Sequence, residues 1–85
     1  MPRQQPDALR NLEFLLTDLC ADLGFCGHLT ATDLLPPGTV LSAVDFAQAV
    51  LRAEKMTPEY ELKWTRQIQE RFESRFGASL WRGPA

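Results

Sequence analysis

Every fourth residue from Tyr60 to Phe76 is a large apolar side chain: Tyr60, Trp64, Ile68, Phe72 and Phe76. A spacing of four drifts by about 40° per step on an α-helix, so these side chains form an oblique ridge rather than a straight stripe. A ridge of this kind packs best into another like it at roughly −50°, which favours crossed helices over a parallel bundle. Thr57, Pro58 and Glu59 supply a cap, a proline for the first helical position and an acid near the positive helix end, and Gly77 supplies a stop. The pattern predicts a helix over 58–76.

Two further helices are legible. Over 7–23 the residues Leu9, Leu12, Leu16, Leu19, Cys20 and Leu23 fall within an arc of about 100°, with Asp7 as cap and Gly24 as terminator. Ser42 and Asp45 form a capping pair for a helix running to about Lys55, with Leu41 and Phe46 as its hydrophobic staple. The expected buried stripe of this helix is Ala43, Phe46, Ala49, Val50 and Ala53. The linker to the next helix is so short that the two should form a helical hairpin.

Between these helices, 25–41 has no sustained period. Thr30 and Asp33 cap one short turn that Pro36 and Pro37 stop, and Thr39 to Leu41 run extended. Strand-like alternation is absent from the sequence. The fold class expected is all-α: a compact orthogonal-type bundle of three main helices plus one short helical turn. It is read as a single domain over 1–85, with 1–6 and 78–85 as loosely held tails, the latter pinned only through Leu80 and Trp81.

Eighty-five residues suffice for one core, burying about 60 to 65% of the surface of the unfolded chain. The apolar runs are two or three residues long, such as Leu15-Leu16 and Leu34-Leu35, against the roughly 20 needed to span a bilayer. No membrane association is expected, and with no secretion signal in the first residues a cytoplasmic location follows by default. In that compartment Cys20 and Cys26 are read as free thiols.

Residues 1–48 carry two Arg against six acids, and residues 49–85 carry seven basic residues against five acids, so the halves bear −4 and +2. That imbalance is too mild for a nucleic-acid arm or a polybasic membrane anchor. Over 58–76 the bases Lys63, Arg66, Arg71 and Arg75 are offset by Glu59, Glu61, Glu70 and Glu73, and the break from Leu35 to Ser42 is too long for a standard helix-turn-helix. Core packing of the aromatic ridge outweighs base stacking.

Cys20, Cys26 and His28 are soft ligands close in sequence, but structural zinc takes four ligands in paired short spacings and no second pair follows. Cys20 fits better as a small hydrophobe on the first helix, with Cys26 and His28 on a turn. A Cys26/His28 nucleophile would need an orienting group and an oxyanion site that adjacency does not supply. No phosphate-binding or calcium-binding loop motif occurs. We assign no catalytic, cofactor-binding or metal residue, and expect no cofactor.

The function expected is a non-enzymatic interaction module, an accessory or regulatory protein that binds another protein or itself; a small nucleic-acid-binding regulator is the alternative. The candidate contact is Phe14, whose side chain lies about 160° from Leu16, the middle of the first helix's stripe. Its surroundings there are Arg10, Asp18, Ala21 and Asp22. Either Phe14 is exposed as an anchor, or the 25–41 connection or the Leu80-Trp81 tail covers it. Arg71 and Arg75 join the candidate contact: they sit within the span of the ridge and reach for an acidic surface, a partner's or the first helix's own.

Overall fold

The computed structural model describes residues 8–27 and 29–81. The elements run α1 (Ala8–Leu23), α2 (Ala31–Leu34), β1 (Val40–Ser42), α3 (Ala43–Ala53), α4 (Leu62–Phe76) and β2 (Ser79–Trp81). Asp7 and His28 lie outside the described residues, so the cap and ligand roles considered for them do too.

The helix ends follow local chemistry. Gly24 takes φ 78°, a left-handed conformation natural to glycine, and its amide donates to the Cys20 carbonyl at 3.1 Å. The Thr30 hydroxyl accepts from the Asp33 amide at 3.2 Å, and Ser42 Oγ accepts from the Asp45 amide at 3.1 Å. Ser42→Ala is therefore expected to lower stability by about 1 kcal/mol, read as a shifted urea midpoint at unchanged slope.

The end of α3 is less ordinary. The Lys55 amide donates to the Arg52 carbonyl and the Met56 amide to the Leu51 carbonyl, both at 2.9 Å, the paired bonds of a Schellman cap. The left-handed position in that cap is held by Lys55, at φ 60°. A lysine there is strained by roughly 1–2 kcal/mol, and glycine returns part of that gain through its larger unfolded-state entropy. Lys55→Gly is expected to raise stability by about 0.5–1 kcal/mol in the same melts; a loss would show that the lysine side chain makes a contact outweighing the strain.

Helix α4 starts at Leu62 rather than at Pro58. The Thr57-Pro58 signal opens two tight turns instead: the Tyr60 amide donates to Thr57 and the Glu61 amide to Pro58, at 3.0 and 3.2 Å, before Thr65 makes an α-helical bond to Glu61. Pro58 is buried in this corner. Tight i to i−3 turns advance differently from an α-helix, so the fourfold spacing carries no face across them. Tyr60 consequently leaves the ridge and is 86% exposed.

A two-stranded antiparallel ribbon adds to the all-α expectation: among the described residues the protein is mostly helical with one small sheet. β1 pairs with β2 in the register Val40 with Trp81, Leu41 with Leu80 and Ser42 with Ser79, and the Ala43 amide extends it to the Ala78 carbonyl at 3.0 Å. Gly77, at φ 82°, turns the chain out of α4 and into β2. The segment from Ala78 to Trp81 is thus paired rather than a loose tail, and Leu41 and Leu80 enter the core from opposite strands.

Among the described residues the buried side chains other than Pro58 form one cluster. Phe72 sits at its centre, with the Phe46 and Phe76 rings each 5.1 Å away. Ile68 and Phe72 are fully buried, so this stretch of the ridge is core. In α1 the buried line is Ala8, Leu12, Leu15 and Leu19, rotated from the expected centre at Leu16, which is partly buried. In α3 it is Ala43, Phe46, Ala47, Val50 and Leu51, while Ala49 and Ala53 are only half-buried. Leu51 and Ala47 widen that arc because α3 packs against both α4 and β1.

Candidate functional site

Phe14 projects from α1 away from the buried line and is 54% exposed, so neither the 25–41 connection nor the Leu80-Trp81 segment covers it. One helical turn to either side on the same flank stand Asn11 and Asp18, at i−3 and i+4. Both are engaged by Arg75, which donates to the Asn11 carbonyl at 3.3 Å and to Asp18 Oδ2 at 2.9 Å. Arg71 donates to Asp22 Oδ2 at 2.6 Å.

Two acids spaced by four on α1 therefore meet two arginines spaced by four on α4, in a sense that makes the helices antiparallel. Both rungs are partly exposed, side chains at 35–53%, and solvent screening limits each to about 0–1 kcal/mol. Their consequence is orientation: Arg71 and Arg75 reach the first helix's own acids. Phe14 is left beside a charged seam, a single large apolar side chain with Arg10, Glu13 and Thr17 also exposed on its helix.

The cysteines depart from expectation. Cys20 and Cys26 are joined by a disulfide, with their Cα atoms 4.5 Å apart, which overturns the reading of both as free thiols. The left-handed turn at Gly24 folds the chain back over the last turn of α1 and brings Cys26 beside Cys20. With both sulfurs bonded to each other, neither is a thiolate for metal or nucleophilic chemistry. Among the described residues no three His, Cys, Asp or Glu side chains are grouped to hold a metal.

Sequence reasoning missed two further features. Val40 and Trp81, cross-strand partners, are both more than 45% exposed, as is Val44 in the first turn of α3. The alternation that turns Leu41 and Leu80 inward turns Val40 and Trp81 outward, and three residues are too few to announce it. A groove of about 250 Å³ lies between α1 and the last turns of α3, lined by Leu16, Phe25, Leu29, Val50, Ala53 and Glu54. Phe25 forms one wall, edge-on to Trp64 at 5.3 Å, and Glu54 Oε1 accepts the Gly27 amide at 2.7 Å.

No helix among the described residues is long and apolar enough to cross a membrane. Comparison with known proteins finds no matching family, and no curated protein or solved structure similar to the chain.

Proposed function

We propose that this chain is a non-enzymatic helical module that binds another protein through the α1 face centred on Phe14. The observation that carries the reading is the position of Phe14: half exposed, beside the ion-paired seam, on a helix whose opposite side is core. Aromatic residues with charged rims are the usual anchors of protein interfaces. Self-association through the same face is one form of this reading. The nucleic-acid alternative is weakened, because two of the four bases it relied on, Arg71 and Arg75, are paired with Asp22 and Asp18. A cytoplasmic location remains part of the proposal, with the Cys20–Cys26 disulfide as the observation against it, because thiols in that compartment are usually kept reduced.

The test is capture from the source cell on immobilised wild-type protein and on Phe14→Ser. A protein enriched at least about tenfold on the wild type supports the reading, since anchor residues carry most of an interface's energy. Equal capture on both surfaces, or retention of nucleic acid lost steeply with salt, overturns it.

A further inference from the structure

We propose that the Cys20–Cys26 disulfide is a redox latch. Intact, it holds Phe25 and Gly27 as one wall of the groove between α1 and α3; reduced by a dithiol, it frees that wall and opens the apolar floor of Leu16, Val50 and Ala53. This inference is independent of the role of Phe14.

Residues 24–27 belong to no helix or strand. Beyond α1, the segment is held by the packing of Phe25 against Trp64 and by the Gly27 amide on Glu54. The fit at Gly27 is close: a Cβ there would come within 3.1 Å of the Ala53 Cβ, so the absence of a side chain lets the segment lie this near α3. The disulfide adds a covalent tie, joining Cys26 to the end of α1 one residue before Gly27.

The two sulfurs are not equivalent. Cys26 is exposed and Cys20 is partly buried, so an incoming thiolate attacks Cys26 Sγ and Cys20 leaves. The second thiol of the dithiol then displaces Cys26. Two thiols are left on the protein, and the dithiol, oxidised by two electrons, becomes a disulfide. Each released sulfur takes up a proton, and reclosure, a two-electron oxidation, needs a disulfide as oxidant.

The experiment is hydrogen exchange on the full chain before and after dithiothreitol, with Trp64 fluorescence read in a Trp81→Phe background. Reduction is expected to speed exchange at Gly27 at least about tenfold more than at the core amides of α1 and α4, and to shift Trp64 emission to the red. Oxidised dithiothreitol should restore the starting state. The double variant Cys20→Ser with Cys26→Ser should match the reduced protein. Exchange at Gly27 sped no more than at the core amides, or a disulfide that the native protein does not yield to the dithiol, overturns the latch.

Discussion

Phe72→Ala is expected to lower stability by about 3–5 kcal/mol, more than any other single truncation considered for this protein. Phe72 is fully buried where α3 meets α4, and its ring contacts two other rings, those of Phe46 and Phe76. Truncation removes the ring's transfer energy, leaves a cavity between the two helices and breaks both aromatic pairs, each worth about 0.5–1.5 kcal/mol beyond its area. A chain of this length has a total stability of about 4–13 kcal/mol, so the variant should be partly unfolded under mild conditions. Urea melts read this directly. A loss below about 1 kcal/mol would place Phe72 on the surface and return the ridge to the base-stacking reading.

Removing the disulfide ranks second: Cys20→Ser combined with Cys26→Ser should lower stability by about 2 kcal/mol. The bond links residues six apart, so the loop it closes is short, and the entropy it withholds from the unfolded chain stands near the low end of what disulfides contribute. The double variant should still fold, because Phe72, Phe46 and the α1 line lie elsewhere in the core. An unchanged urea midpoint would mean that the unfolded chain gains no freedom when the bond is absent.

What was legible in the sequence is what is decided within a few residues. The caps at Thr30 and Ser42, the stops at Gly24 and Gly77, and the outward direction of Phe14 each depend on one helical turn or less. The seam was half legible: Asp18 and Asp22, like Arg71 and Arg75, repeat at four, but only the packing of α4 on α1 decides that they pair with one another.

The ribbon escaped notice because it joins residues about forty positions apart through strands of three residues, too short for an alternation to stand out. The start of α4 was misplaced because a proline after threonine serves a tight turn as well as a helix. The disulfide was missed because compartment was allowed to decide it, when Gly24 already folds Cys26 back toward Cys20.

The face around Phe14 is tested most directly by titrating the captured protein against wild type and Phe14→Ser, with urea melts of both run alongside. If the captured protein is a second copy of this chain, sedimentation equilibrium reads the same constant. Binding is expected to weaken at least about 30-fold, the 2 kcal/mol of an interface anchor, with stability held within about 0.5 kcal/mol. Equal affinity for the two proteins, or a stability loss of about 2 kcal/mol or more on removing the ring, would contradict it.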